Sequence, residues 1–496
     1  MLRTLDEYFE IFEELSYKLI PSNIELAKLF DDIHVNRFID ICFVTEMKSW
    51  FYFNEQKWQK DEGNLTAMEH CKCFVQALRQ YSINRLREVL AEVEANTRFD
   101  TDENGESAEA KRLKKFIGFI ACFDKRTQRV SLLADASSVN PKSIVEFDNN
   151  PHLFNGVNGT YDLKTFNYRN HSAADLITKI SRVVFDENAV YPRFNQFINE
   201  VMCGDKGNAR FLQKTCGSNI SGEILHECLY VFLGLTTRNG KSTLTETVIH
   251  LMGDYAATVQ PQTLGRRTSH GSYPTPDLAR LKGIRFVNVP EPPKELIFDS
   301  ALVKQLTGRD SITARMLRQN PIEFRPEFNM TINTNHRAKF SDNTVFLSKR
   351  VQIIPFLRHF NPDEQDDNLK NEFKKPKNIS AIFNWLVEGY RMLVEEGLDV
   401  PEEVKKATDA ECKNNVTTVD VVDIEGFCEK NLEASENFRT KTSVAYERYE
   451  EWAKENNFTA IRVQDFIAEL KRCNYNIKRS GSKGNEIVGF KLTQKA

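Results

Sequence analysis

Gly240-Lys241-Ser242 sits between an apolar run ending at Leu233 and a helical pattern that continues beyond Thr243. This order is that of a phosphate-binding loop. Backbone N–H groups at the start of a helix cradle anionic oxygens, the Lys241 ammonium reaches the β- and γ-phosphates of a nucleotide, and the Ser242 hydroxyl holds Mg²⁺. The nucleotide-binding set is therefore Gly234, Asn239, Gly240, Lys241, Ser242 and Thr243. The usual pattern G-x-x-x-x-G-K-[S/T] places glycine at 235, where this chain has Leu235. Gly234 comes one residue early, so the loop is one residue longer or turns differently.

A phosphate loop is shared by many chemistries, so the residues after it decide the class. About fifty residues on, the strand pattern Ile284-Arg-Phe-Val-Asn-Val289 ends at Pro290-Glu291. A carboxylate there is placed to complete a Mg²⁺ shell or orient the attacking water. A second apolar strand, Met330-Thr-Ile-Asn-Thr-Asn335, ends in an amide suited to sensing a γ-phosphate by hydrogen bonding. Leu302 to Phe328 reads as a turn and two strand-like halves punctuated by Arg315, Arg318 and Arg325, and Lys349-Arg350 precedes the strand Val351 to Phe356.

Around these residues the chain divides by texture. Residues 1–140 are mainly helical, with helices expected over Thr4–Lys18, Met68–Ala95 and Glu106–Phe123. Trp50 to Trp58 alternates like a hairpin whose aromatics face a core. Asp100-Thr-Asp102 beside Glu103-Asn-Gly105 reads as a solvated turn. Residues 141–225 form a small β-rich and helical unit, and 226–396 the nucleotide domain, closing on an amphipathic helix over Ile379–Glu396. Residues 397–425 are charged and poor in large apolar side chains, as a linker or exposed helix would be, and 426–496 form a separate tail unit.

Composition excludes several classes. At 496 residues, 41% hydrophobic, 28% charged and net charge −3, the chain is ordinary multidomain globular protein with only local basic surfaces. Ten cysteines without a C-x-x-C pair predict buried free thiols in a reducing cytosol rather than a disulfide framework or a zinc ribbon. The start has no basic and apolar leader, and no apolar run approaches the roughly 20 residues needed to cross a bilayer. A soluble protein of the cytoplasm, with no membrane partner, is expected.

The ordered elements resemble the helicase module of viral and plasmid primase-helicases of helicase superfamily 3, of the poxvirus and satellite-phage type. The elements carrying the resemblance are Asn239-Gly-Lys-Ser242, Ala279-Arg-Leu-Lys-Gly-Ile-Arg285 leading to Glu291, Leu306-Thr-Gly-Arg-Asp310, Thr334-Asn-His336, and Lys349-Arg350 before Ile354-Pro-Phe356. A weaker likeness reaches upstream to Asn158–Leu163. Glycine is absent at 235 and 237, Lys349 replaces a usual Arg, and Pro292 follows Glu291 where many of the wider superfamily have a second acid. The resemblance implies a multidomain α/β protein with an AAA+ P-loop ATPase core, an α+β N-terminal region and a C-terminal winged helix. It also implies assembly as a homo-oligomeric ring, a hexamer, with ATP and Mg²⁺ between subunits. Glu291, Asn335 and Arg350 would be the catalytic residues, Arg350 as an arginine finger acting from the neighbouring subunit. Ser242 and Glu291 would hold the metal, and Arg315, Arg318 and Gln319 would lie on a hairpin facing DNA in the channel.

In the tail, helical patterns over Ser443–Asn456 and Val463–Cys473 precede a hairpin pattern from Tyr475 to Lys491. Lys471, Arg472, Lys478, Arg479, Lys483 and Lys491 concentrate positive charge there. Two helices and a basic hairpin suggest a winged-helix module contacting DNA phosphates. The sequence reading is an ATP-dependent replicative helicase of a phage, plasmid or mobile element that acts on single-stranded and forked DNA. The alternatives are an ATP-switched initiator that melts an origin, and a complete primase-helicase. The upstream region shows neither a carboxylate cluster nor zinc ligands, so priming is expected from a separate primase.

Overall fold

The computed structural model describes residues 3–15, 19–95, 106–266, 275–315, 321–415, 424–455, 460–473, 475–479 and 485–493. The Asp100–Gly105 turn, Arg318, Gln319 and Lys483 lie outside the described residues.

A five-stranded parallel sheet occupies the middle of the chain. Its strands are β1 (Leu229–Leu233), β2 (Ala256–Thr258), β3 (Phe286–Val289), β4 (Asn329–Thr334) and β5 (Val351–Pro355). They lie in the order β5-β1-β4-β3-β2, and every pairing is parallel. β1, β3 and β4 are buried along their whole length. A parallel sheet covered on both faces buries its strands in this way: β1 is a continuous apolar run and β3 nearly so, whereas β4 alternates Met330 and Ile332 with buried Asn329, Thr331 and Asn333. One face packs on a core including Tyr230, Phe232, Leu244, Val248 and the helix Pro376–Glu396. The other packs on Val231, Val287, Met330, Ile332 and Phe340.

Arg285 fastens the preceding unit to this sheet. The antiparallel strands Leu153–Asn155, Thr160–Asp162 and Asn167–Arg169 form the expected β-rich piece. The guanidinium of Arg285 donates to the carbonyls of Ile220 at 2.7 Å and Leu153 at 2.8 Å, and lies 4.6 Å from the Tyr255 ring centroid. Those carbonyl bonds satisfy a cation that is 5% exposed. Lys57, at the end of the N-terminal hairpin, pairs with Asp254 at 2.5 Å and ties a third unit to the same place.

That third unit holds helices Leu5–Glu14, Asn23–Asp31, Leu65–Glu94, Ala108–Ala121 and Arg126–Ala136 around one core, with an antiparallel sheet of Ile41–Val44, Ser49–Phe53 and Trp58–Lys60. Trp50, Phe51 and Trp58 are buried. The span read as one helix to Phe123 ends at Ala121, and a further helix follows it. The free cysteines are of both kinds: Cys42, Cys71, Cys216 and Cys428 are buried, whereas Cys122 and Cys203 are exposed.

Two expectations about the C-terminal part are corrected. The span read as a linker or exposed helix contains the helix Glu402–Asn414, which docks on the sheet: Val404 is fully buried, and the Thr408 hydroxyl accepts from the Ile353 N–H at 3.0 Å. Asn415 continues the contact, donating to Asn343 at 2.8 Å and accepting from the Phe340 N–H at the same distance. Among its described residues the tail holds three helices, Ile424–Asn431, Thr442–Glu455 and Val463–Arg472, where two were expected. Its hairpin strands Ile477–Arg479 and Asn485–Leu492 are joined by a third, Leu432–Lys441, which pairs with the latter. No helix among the described residues is long and apolar enough to cross a membrane.

Candidate nucleotide-binding site

The phosphate loop leaves the C-terminal edge of β1, the edge at which ligands bind in open α/β sheets. Its helix, Lys241–Met252, begins at Gly240, whose φ is 84°. A Cβ at Gly240 would also stand 2.6 Å from Val201, so both the backbone and the packing require glycine. The longer loop is explained by Asn239. Its amide folds back to donate to the Thr236 carbonyl at 2.5 Å, while its Oδ1 accepts from Lys241 at 3.0 Å. Any side chain at 234 would overlap the Asn239 amide and the Lys241 ammonium, so the early glycine clears room for both, and Leu235 points outward at 67% exposure.

Lys241 is 4% exposed, and its Nζ donates to Asn335 Oδ1 at 2.8 Å. Burial pushes the ammonium down to about 8, opposed by the negative charge of Glu291. Glu291 follows β3 beyond Pro290. Its carboxylate accepts from Asn335 Nδ2 at 2.9 Å and lies 3.3 Å from His336 Nε2. One amide therefore bridges the lysine and the glutamate. Only one orientation satisfies both, oxygen to the ammonium and nitrogen to the carboxylate.

A cavity of about 510 Å³ opens over this bridge and is lined by Lys241, Ser242, Thr243, Glu291 and Asn335. Arg193, Phe197, Phe360 and Lys370 line it too, and the sequence reading missed all four. They lie some forty residues before the loop and more than a hundred after it, on segments without a local motif. Ser242 and Glu291 both face the cavity, and a hydroxyl and a carboxylate oxygen suit Mg²⁺, a hard cation.

Arg350 lies elsewhere. It immediately precedes β5, and Val351 pairs with Leu229 at the start of β1, so Arg350 is at the opposite edge of the sheet from the loop. Five residues of strand separate the two edges, roughly 16 Å. Its guanidinium pairs with Glu227 at 2.5 Å and donates to the Lys304 carbonyl at 3.1 Å.

The strands Ile312–Ala314 and Ile322–Phe324 pair antiparallel, as the two strand-like halves require. Arg315 follows the first strand, its N–H donating to Thr275 Oγ1 at 3.2 Å. In the tail, Lys478 and Arg479 are exposed on one strand, Lys478 opposite Glu486. Acidic partners neutralise neighbouring charges: Arg472 pairs with Glu469 at 3.0 Å and Lys491 with Glu433 at 3.1 Å.

Residues 27–203 match the family described as D5 N terminal like. The resemblance to superfamily 3 primase-helicases holds. Several viral relatives bear the name "Putative helicase". L207/L206 of Acanthamoeba polyphaga mimivirus is 26% identical over 75% of this chain and 39% of its own length, and 022R of Frog virus 3 (isolate Goorha) is 30% identical over 32% and 16%. Primase D5 of Fowlpox virus (strain NVSL) is 24% identical over 48% of this chain and 31% of its own. The chain thus spans well under half the length of these relatives. Among solved structures, the C-terminal region of NrS-1 covers 62% of this chain and 78% of its own at 11% identity, with a TM-score of 0.34.

Proposed function

We propose that this chain is a DNA-dependent ATPase that works as a replicative helicase of a viral or mobile element, with an AAA+ type core assembling as a ring. The observation that carries the reading is the Lys241–Asn335–Glu291 bridge beneath the cavity. An anionic γ-phosphate would take over the Lys241 ammonium, which holds no carboxylate directly and so has charge to give. Asn335 would then turn its donor toward the phosphate and release Glu291 to orient a water. Ser242 and Glu291 would hold Mg²⁺, which when bound neutralises charge on the phosphate oxygens. The relatives' names, "Putative helicase" and "Primase D5", support a helicase or primase-related role.

Arg350 fits a role in trans. At the opposite sheet edge it cannot serve its own loop, and an arginine donated by a neighbour stabilises charge on the transferring phosphoryl group. The hairpin of Arg315, Arg318 and Gln319 would track single-stranded DNA, and the winged-helix-like tail would add phosphate contacts through Lys478, Arg479 and Lys483. Converting Lys478 and Arg479 together to Glu should flatten the salt dependence of DNA affinity.

One experiment tests the core of the reading. Lys241→Ala and Arg350→Ala proteins should each lose ATP hydrolysis, yet regain part of it when mixed, because some interfaces then pair an intact loop with an intact finger. The wild type should unwind a forked duplex. Wild-type hydrolysis by Lys241→Ala would remove the site assignment. No recovery on mixing, with subunit exchange demonstrated, would remove the trans role.

A further inference from the structure

In the N-terminal unit, far from the nucleotide cavity, three titratable side chains meet in a sealed place. His34 is fully buried, His70 is 3% exposed and Asp40 is 6% exposed. One donor atom from each lies within 4.8 Å of the others. His34 Nδ1 is 2.9 Å from Asp40 Oδ1, and His70 Nδ1 is 3.6 Å from Asp40 Oδ2. We propose that His34, Asp40 and His70 bind one divalent transition-metal ion of the zinc class.

Four observations carry this. The first is an orphan: His70 Nδ1 is buried and has no hydrogen-bond partner, and 3.6 Å to the carboxylate is too long for one. Such an atom is costly to bury unless something binds it. A hydrogen-bonded Tyr8–His34–Asp40 chain alone would leave it stranded, whereas a metal ion would accept its lone pair.

The second is spacing. Ligand atoms at about 2.0–2.1 Å from a tetrahedral zinc stand roughly 3.3 Å apart; His34 Nδ1 and Asp40 Oδ1 stand at 2.9 Å, and the three donor atoms all lie within 4.8 Å of one another. Two imidazole nitrogens and a carboxylate form a borderline donor set that favours zinc and its neighbours over Mg²⁺ or Ca²⁺.

The third is the backbone. The helix Asn23–Asp31 passes into a π-helix over Asp32–Arg37, with the Phe38 N–H bonded to the Ile33 carbonyl at 2.8 Å. Ile39, a β-branched residue, then adopts φ 52°. Both conformations are costly and tend to persist where they position a functional group, here His34 and Asp40 on either side of the irregular turn.

The fourth is the outer shell. His34 Nε2 is 3.1 Å from the Tyr8 hydroxyl, so with Nδ1 on the metal the remaining N–H has an acceptor. Arg3 Nε donates to Asp40 Oδ2 at 3.4 Å, which steadies the carboxylate and leaves Oδ1 for the ion. Binding releases the Nδ1 proton of His34 to solvent. The ion would join the π-helix to the long helix Leu65–Glu94 that carries His70.

The test uses the full chain with any histidine tag removed. Metal content measured by plasma mass spectrometry after gel filtration should be about one zinc-class ion per chain. Asp40→Asn and His70→Gln should each reduce it at least fivefold while keeping the wild-type helical circular dichroism. Chelation followed by Co²⁺ should give visible ligand-field absorption in the wild type and not in the variants. If either variant fails to fold, chelation of the wild type decides: a lower Tm restored by Zn²⁺ supports the site. Folded wild type without stoichiometric metal, Co²⁺ absorption or a Zn²⁺-dependent Tm overturns it, as does full metal retention in both variants.

Discussion

Two polar clusters of this molecule, one open and one sealed, use similar parts to opposite ends. In one, Lys241, Asn335 and Glu291 converge under an open cavity, and each side chain keeps a bond that an incoming phosphate can exchange. In the other, Tyr8, His34, Asp40 and His70 are closed in by the rings of Phe30, Phe38 and Phe74. The first places a cation and a carboxylate on either side of an amide, an arrangement that the phosphate of the proposed function would bias. The second is buried from solvent, and its side chains are placed to hold rather than to turn over.

The largest expected effect on this contrast is at Glu291. Glu291→Gln keeps the shape of the side chain and its contact with Asn335 but loses the carboxylate. Turnover should fall by at least about 100-fold while nucleotide affinity stays within a few-fold of wild type, measured by steady-state hydrolysis and equilibrium binding. Undiminished turnover would mean that Glu291 is only a tether for Asn335.

The sealed cluster should respond in stability and not in rate. Tyr8→Phe leaves His34 Nε2 without its partner in a site where water cannot replace it, at a cost of about 1–3 kcal/mol. Thermal unfolding should move down by roughly 2–4 °C per kcal/mol, with ATP hydrolysis at 25 °C unchanged. A drop in hydrolysis without a drop in Tm would couple the two clusters and end the distinction drawn between them.

How much of this was legible depended on whether a feature is local in the chain. The phosphate loop, Glu291 and Asn335 were readable because each ends a short apolar strand, and strand ends on one edge of a parallel sheet must converge. Arg193 and Phe360 were not, since nothing in their neighbourhoods marks a ligand and only the packing of distant helices brings them to the cavity. His34 and His70 were missed for the same reason, being thirty-six residues apart with no paired-ligand spacing. The strand Leu432–Lys441 was missed because its sequence, with Glu433, Glu436, Arg439 and Lys441, has no apolar alternation, and it is defined by pairing with Asn485–Leu492. Helix Glu402–Asn414 has the texture of a linker because most of its residues are charged, yet Val404 and Thr408 suffice to dock it.

The finest test of the open cluster is the proton on Lys241. In the free protein burial holds this ammonium at about 8, below the ordinary 10.5. Between those values the folded chain binds fewer protons than the unfolded one, so this group's contribution to stability rises with pH across that window and is absent below it. Nucleotide binding has the opposite sign. A bound phosphate favours the charged lysine and raises its pKa, so affinity is complete below about pH 8 and falls above it, approaching tenfold per pH unit until the pKa of the complex is reached. Titrating a fluorescent ATP analogue between pH 7 and 9.5 reads this directly. Lys241→Arg, whose guanidinium stays charged throughout, should bind with a flat profile over the same range even if more weakly. A wild-type affinity that is constant to pH 9.5 would mean that burial does not lower the Lys241 ammonium into this range, and that the open cluster binds phosphate without a proton being exchanged at Lys241.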